Sequence, residues 1–171
     1  MPMPVLPALA LVLALAVSPS AADAQNFPKL KSGLWETITS SRGNDKAPHK
    51  STLCLDDSVQ QEMYRMSIGM LAGMCSKYNL KTSGNQVTSE AVCDLGGSKM
   101  RSKAVMKLTG NAAYRTEAHA SFDPPFLGNK ESTTVIEGRH LGPCKPGQQP
   151  GELTLPGGKT VNIRQFVGTK G

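Results

Sequence analysis

Residues 99–120 read KMRSKAVMKLTGNAAYRTEAHA, and this stretch decides the fold. Its first half alternates strictly, with Met106 and Leu108 on one side of an extended chain and Lys107 on the other. A period of two is typical of a β-strand that buries one face. Since Gly110 can adopt the positive φ of a tight turn, the stretch predicts a β-hairpin.

The register of this hairpin follows from where its turn is centred. A turn centred on Gly110 places Met106 opposite Tyr114 on the inner face and Lys103 opposite Glu117 on the outer face. Moving the centre by half a residue would pair Met106 with an arginine instead. We therefore expect the first register.

The four cysteines predict two disulfides. Cys75 and Cys93 lie at equal distances on either side of Gly84, in two strand-like segments, so a bridge between them would staple a second hairpin. That leaves Cys54 to pair with Cys144 across a long loop. Because the chain contains no C-x-x-C pair, these cysteines fit neither structural zinc nor redox catalysis.

The remaining segments complete a mainly β (α+β) fold. Asp56 or Asp57 can cap a helix that runs to about Met70. Further strands are predicted at residues 33–41, 49–55, 133–141, 152–155 and 160–166. We expect a strongly curved antiparallel sheet or half-barrel of about seven or eight strands, with one helix packed in its concavity.

Residues 1–24 predict a cleavable signal peptide. An apolar run at residues 6–17 is too short to span a bilayer, and Ala22 and Ala24 are the small residues that signal peptidase prefers. Residues 25–171 then form a single disulfide-stapled domain without a transmembrane segment. The sequence therefore predicts a periplasmic protein, because disulfides persist in that compartment.

The charge of the chain is modestly positive. It has 19 basic and 13 acidic residues, a formal net charge of +6. A basic stripe follows one strand face, formed by Lys99, Arg101, Lys103 and Lys107. Nucleic-acid binding would require aromatic platforms between these charges, so we interpret the stripe as a solvated sheet face that resists edge pairing.

Methionines recur at helical spacing within the predicted helix: Met63, Met66, Met70 and Met74. Such a stripe packs well against a sheet, and the core interpretation is the simplest one. Exported proteins also use thioethers to bind Cu(I), which is the competing interpretation. A third is that the helix roofs a ligand cavity, to which Met106 and Tyr114 would contribute from the sheet.

Catalytic groups are not recognisable in the sequence. His49, His119 and His140 fall in different strands without metal-ligand spacing, and no nucleophile elbow or phosphate-binding glycine loop is present. We expect no catalytic residue, metal site or cofactor. Glu36 leaves two alternatives open, since either it is buried with a partner or the face of Trp35 is the core one.

The sequence resembles the bacterial exported proteins of the family called domain of unknown function 3617. The resemblance rests on the LKSGLWE segment at residues 30–36, the order of the cysteines, and the closing stretch RHLGPCKPGQQPGELTLPGG at residues 139–158. It implies a Gram-negative periplasmic setting and a β-dominated fold. It implies no activity.

The leading functional hypothesis is a non-catalytic binding domain. Its ligand would be an apolar small molecule, a lipid or an envelope protein, held between the helix and small or apolar residues of the sheet. The alternatives are soft-metal binding through the methionine stripe, or an enzyme that the sequence does not reveal.

Overall fold

A computed structural model describes residues 27–42 and 47–167, so the predicted signal peptide lies outside the described residues. Within them, nine strands and two helices follow one another along the chain. They are β1 (Gly33–Arg42), β2 (His49–Leu55), α1 (Asp57–Met74), β3 (Cys75–Ser83), β4 (Gln86–Asp94), β5 (Lys99–Thr109), β6 (Ala113–Phe126), β7 (Asn129–Gly142), β8 (Glu152–Thr154), β9 (Thr160–Asn162) and α2 (Arg164–Val167).

All nine strands belong to one antiparallel sheet, in the order β3-β4-β5-β6-β7-β1-β2-β8-β9. The sheet is open, because β3 and β9 lie at its two edges and do not pair with each other. The prediction of a mainly β, antiparallel fold is confirmed, with nine strands where about seven or eight were expected.

The predicted register of the central hairpin is wrong. Met106 lies opposite Thr116, and Lys103 lies opposite His119. The reason is the position of the turn, which occupies residues 110–112 rather than the expected residues 109–111 and so moves the centre of the hairpin by a whole residue, to Asn111. Since this moves each partner by two positions, the assignment of side chains to faces is unchanged.

Three element boundaries also differ from the sequence prediction. α1 continues to Met74 rather than ending near Met70. The glycines in its last turns are exposed, and they lower the stability of the helix without ending it. β7 begins at Asn129 rather than at residue 133. The predicted strand at residues 160–166 is shorter, ending at Asn162 before the short helix α2.

Both predicted disulfides form. Cys75 and Cys93 lie directly opposite each other, with a Cα–Cα distance of 3.7 Å. The ladder between β3 and β4 shifts between Cys75 and Lys77, and this irregularity brings the two cysteines into register. Cys54 and Cys144 join the end of β2 to the segment after β7, with a Cα–Cα distance of 5.4 Å.

Helix α1 crosses the sheet and connects β2 to β3, between which five other strands lie. Its 18 residues span about 27 Å, and six interstrand steps amount to about 29 Å. A single residue, Asp56, connects β2 to the helix, and Cys75 follows it directly. The helix therefore spans the sheet without slack, and each of its ends is next to a disulfide.

The core lies under the first turn of α1. Val59 is fully buried and packs with Trp35 and Leu55, which are 3% and 4% exposed. Asp56 caps the helix here by accepting a hydrogen bond from the backbone N–H of Val59 at 2.8 Å. This hydrogen bond is the main reason that the pKa of Asp56 lies below its ordinary value.

Candidate functional site

A cavity of about 430 Å³ lies between α1 and the face of the sheet beneath it, here called the inner face. Its wall combines aromatic, aliphatic and hydroxyl side chains. The lining residues are Phe27, Leu30, Trp35, Thr37, Thr39, Leu53, Leu55, Gln60, Met63, Tyr64, Ser67, Ile68, Tyr78, Tyr114, Ile136 and Leu153. The volume lies within the range of small-molecule sites.

The sheet side of the cavity contains a pair of stacked rings. The rings of Trp35 and Tyr114 have centroids 5.8 Å apart and are inclined by 27°. Tyr114 covers Gly138 on the neighbouring strand so closely that a Cβ there would come within 2.2 Å of the tyrosine ring. Glycine at this position therefore lets the ring lie against the backbone of β7.

Trp35 is held from two further directions. Its indole N–H donates a hydrogen bond of 2.7 Å to the carbonyl oxygen of Lys31. The ring of His140 meets it edge-on, with centroids 5.8 Å apart and planes inclined by 69°. A buried indole whose N–H has a partner keeps one orientation, so the stacked pair is formed without a ligand.

One edge of the cavity is closed by residues 27–32, here called the N-terminal strap. The side-chain amide of Gln60 binds the strap twice, accepting from the N–H of Leu30 and donating to its carbonyl oxygen, both at 2.9 Å. Outside the cavity, the ammonium of Lys29 lies 2.6 Å from the carboxylate of Asp57. Phe27 contacts Tyr64 of the helix, with ring centroids 5.6 Å apart.

The described lining of the cavity contains no Lys, Arg, Asp or Glu. The phenol group of Tyr78 is also neutral at ordinary pH. Burial raises the pKa of Tyr78 above its usual value, and the nearby Tyr64 raises it further. The described lining is therefore uncharged, and its polar side-chain groups are hydroxyls, the amide of Gln60 and the indole N–H of Trp35, which already donates to Lys31.

The six residues predicted to bind a ligand separate into two groups. Met63 and Tyr114 line the cavity, whereas Met66, Met70, Met74 and Met106 do not. Met106 lies on the inner face, opposite Val87 and Thr116. Whether any of the six binds a ligand stays a prediction.

The core interpretation of the methionine stripe is wrong. Met63, Met70 and Met74 are 37%, 56% and 45% exposed. The helix faces the cavity mainly with a neighbouring stripe that also has helical spacing, formed by Gln60, Tyr64 and Ile68, and Met63 is the one methionine of the helix that lines the cavity beside it. The periodicity correctly predicted a helix, but it did not indicate which side of the helix faces the sheet.

Both alternatives for Glu36 hold: it is buried with partners, and the face of Trp35 is the core one. It points to the outer face of the sheet and is 3% exposed, while Trp35 occupies the core on the inner face. Arg139 donates from its Nε to Glu36 at 2.8 Å, and Lys50 also pairs with this carboxylate. Hydrogen bonds from Lys50 and Arg139 hold the pKa of Glu36 below its ordinary value.

The histidines do not form a cluster. His119 belongs to the outer face, where its Nε2 lies 3.3 Å from Glu117, and the Nε2 of His140 lies 3.0 Å from the carbonyl oxygen of Ser32. His49 pairs with Thr39 near the end of β1. In residues 27–42 and 47–167, no group of three or more His, Cys, Asp or Glu side chains could hold a metal ion.

The outer face carries a larger groove of about 560 Å³ across β3–β7. Two rows of side chains border it and the backbone between them forms its floor. Charged groups dominate these rows, among them Lys77, Glu90, Arg101, Lys103 and Glu131, and the pair Lys103–Glu90 is 3.0 Å apart. A solvated β-sheet face presents such grooves without a ligand, so the inner cavity is the stronger candidate.

Sequence reasoning missed most of the cavity wall. Trp35, Tyr78 and Tyr114 all fall on the inner face, and Tyr64 faces the same space from α1. The available signal was the aromatic composition, because the chain has one Trp and three Tyr and all four line the cavity. Assigning them to one place required the strand order, which the sequence did not provide.

Fold and cavity define a class of protein: a small open antiparallel sheet, crossed by one disulfide-anchored helix, with an uncharged cavity between them. The chain belongs to the family described as protein of unknown function (DUF3617), whose model matches residues 30–144. No curated protein and no solved structure is significantly similar to it. Neither described helix is long and apolar enough to cross a membrane.

Proposed function

We propose that this protein is a non-catalytic binding domain that holds an apolar small molecule in the cavity between α1 and the sheet. The observation that carries the proposal is the cavity itself, which is about 430 Å³ in volume and has no charged side chain in its described lining. A space of this kind favours apolar ligands, because they leave water on entry and lose no strong hydration.

We also propose that it acts in the periplasm. The protein has two disulfides, whose cysteines are separated by 90 and by 18 positions in the sequence. Such bonds persist in oxidising compartments. The apolar run at residues 6–17 supports export, although it lies outside the described residues.

Native mass spectrometry and a matched pair of variants test the binding proposal. Thr39 lines the cavity, whereas its neighbour Ser40 projects to the outer face of the same strand. Thr39→Phe places a bulky ring inside the cavity and reduces its free space, and Ser40→Phe adds similar bulk outside it. We expect the oxidised protein from periplasm to carry an apolar adduct, or to bind the neutral probe N-phenyl-1-naphthylamine.

Thr39→Phe should abolish adduct and probe binding, and Ser40→Phe should retain them. Equal binding by the two variants would place the ligand elsewhere. Absence of both adduct and probe binding in the unmodified protein would overturn the proposed function.

A second candidate function is Cu(I) binding by the methionine stripe. The observation that favours it is the exposure of Met63, Met70 and Met74 along one side of α1, since accessible thioethers are soft ligands. A Cu(I) adduct that is lost in Met70→Leu and retained in Met106→Leu would support it. Absence of any Cu(I) adduct in the unmodified protein would exclude it.

A further inference from the structure

We infer that the cavity selects flat, uncharged ring compounds over alkyl chains and over anions. This inference rests on the proposed function, because it names the class of ligand for the same cavity. Three features of the wall support it: its aromatic content, the fixed position of its stacked pair, and its lack of charge.

Aromatic rings are concentrated at the cavity. Five of its lining residues carry them: Phe27, Trp35, Tyr64, Tyr78 and Tyr114. The whole chain has only one Trp, three Tyr and four Phe. Ring faces attract other ring faces in offset or edge-on arrangements beyond the gain from buried area, whereas an alkyl chain obtains only the area term.

The stacked pair is organised before a ligand arrives. Trp35 is fixed by its hydrogen bond to Lys31 and by the edge of His140, and Tyr114 lies against Gly138. Trp35 is only 3% exposed, so a flat ligand meets mainly the ring of Tyr114, which Trp35 and Gly138 hold in a position that needs no rearrangement. Preformed surfaces save the cost of ordering side chains on binding.

The absence of charged side chains from the described cavity wall disfavours the binding of anions. The strap has two cations, Lys29 and Lys31, and neither belongs to the described lining of the cavity; Lys29 is already paired with Asp57 at 2.6 Å. A carboxylate that entered the cavity would lose its water without gaining a cation, which is strongly unfavourable. Hydroxyl groups of Thr37, Thr39 and Ser67 line the same space and can bind a neutral polar substituent instead.

Four probes separate shape from charge: 2-naphthol, 2-naphthoate, 1-decanol and decanoate. Naphthol and decanol have the same number of heavy atoms, and decanol is the more apolar of the two. Each probe is titrated at about pH 7 against the oxidised protein carrying N-phenyl-1-naphthylamine, and displacement is followed by the emission of that dye. We expect naphthol to bind about tenfold more tightly than decanol, and each neutral probe to bind roughly a hundredfold more tightly than its carboxylate.

Matched variants locate the selectivity. Tyr114→Leu removes one stacked ring and should bring naphthol and decanol to similar affinities. Phe122→Leu removes a ring that lies outside the cavity lining and should leave the preference unchanged. Gly138→Ala retains every apolar side chain but displaces the ring of Tyr114, so it should weaken naphthol more than decanol.

The outcomes are distinct. Tighter binding of decanol than of naphthol, or of either carboxylate than of its neutral partner, would overturn the inference while leaving the proposed function in place. An unchanged preference in both Tyr114→Leu and Gly138→Ala would also overturn it. Failure of the dye and of all four probes to bind would overturn the proposed function itself.

Discussion

Trp35 and Glu36 are neighbours on β1, each is 3% exposed, and they are buried on opposite faces of the sheet by opposite means. Trp35 is covered by apolar residues of the core, next to a space that the protein does not fill. Glu36 is covered by the side chains of Lys50 and Arg139, which satisfy its charge. Burial alone therefore does not mark a binding site. The space next to Trp35 on the inner face has an uncharged lining, whereas the space next to Glu36 on the outer face, about 340 Å³, is bordered by charged groups that are already paired.

The largest effect on the free energy of unfolding should come from removing the two disulfides, one on each face of the sheet. Cys54–Cys144 lies towards the outer face and closes a loop of 90 residues, so replacing both cysteines with Ala should cost about 4–5 kcal/mol. Cys75–Cys93 lies on the inner face and closes 18 residues, and its removal should cost about 3 kcal/mol. Urea denaturation measures both values. A greater loss from the shorter loop would show that loop entropy does not govern these bridges.

A smaller effect on the free energy of unfolding should distinguish a buried apolar residue of the core from an exposed one on α1. Leu55 is 4% exposed in the core, and Leu55→Ala should cost about 2–3 kcal/mol, near the lower end of the usual range because the residue already borders a cavity. Met70 is 56% exposed, and Met70→Ala should change the free energy of unfolding by less than about 0.5 kcal/mol. Thermal and urea denaturation compare them. Equal losses would restore the core interpretation of the methionine stripe.

The smallest effect concerns the acid stability that the outer face provides. Because Lys50 and Arg139 lower the pKa of Glu36, the ion pairs stabilise the fold above the ordinary glutamate pKa of about 4.3. This stabilisation is lost as the pH falls through the lowered pKa. Glu36→Gln should therefore lower the melting temperature at pH 7 and flatten its decline below about pH 4.3.

Glu131→Gln, which changes an exposed carboxyl group, is the matched control and should leave the profile unchanged. If the Glu36→Gln and unmodified proteins lose stability in parallel on acidification, the acid sensitivity arises from other carboxyl groups.

Much of the fold could be predicted from local patterns. Alternation along residues 99–120 predicted the strand, because a period of two is a property of the strand itself. The Cys75–Cys93 disulfide was also predicted, but its hairpin is centred between Gly84 and Asn85, and the ladder irregularity after Cys75 is what brings the two cysteines opposite each other. The register of the central hairpin could not be predicted, since it depends on whether the three-residue turn begins at Thr109 or at Gly110. That choice is made by the backbone around Gly110 and leaves no mark on the alternation.

The cavity was predictable only in outline. A helix over an antiparallel sheet was expected, but the wall brings together β1, β2, β3, β6, β7, β8, α1 and the N-terminal strap. Sequence periodicity describes each element separately and contains no information about which strand lies beside which. The helix showed this limit most clearly, because the stripes of Met66 and of Tyr64 have the same period and only one of them faces the sheet.

The anchoring of α1 at both ends has a kinetic consequence. Disulfides at Cys54 and Cys75 hold α1 close to its first and its last residue. The helix therefore cannot rotate away from the sheet about one of its ends. The N-terminal strap has no disulfide in its described residues and is held by hydrogen bonds, a ring contact, an exposed ion pair and the packing of Leu30 on the core. Entry and exit of a ligand would then depend on this strap, so its contacts would set the residence time, while the wall beneath the helix would set the affinity.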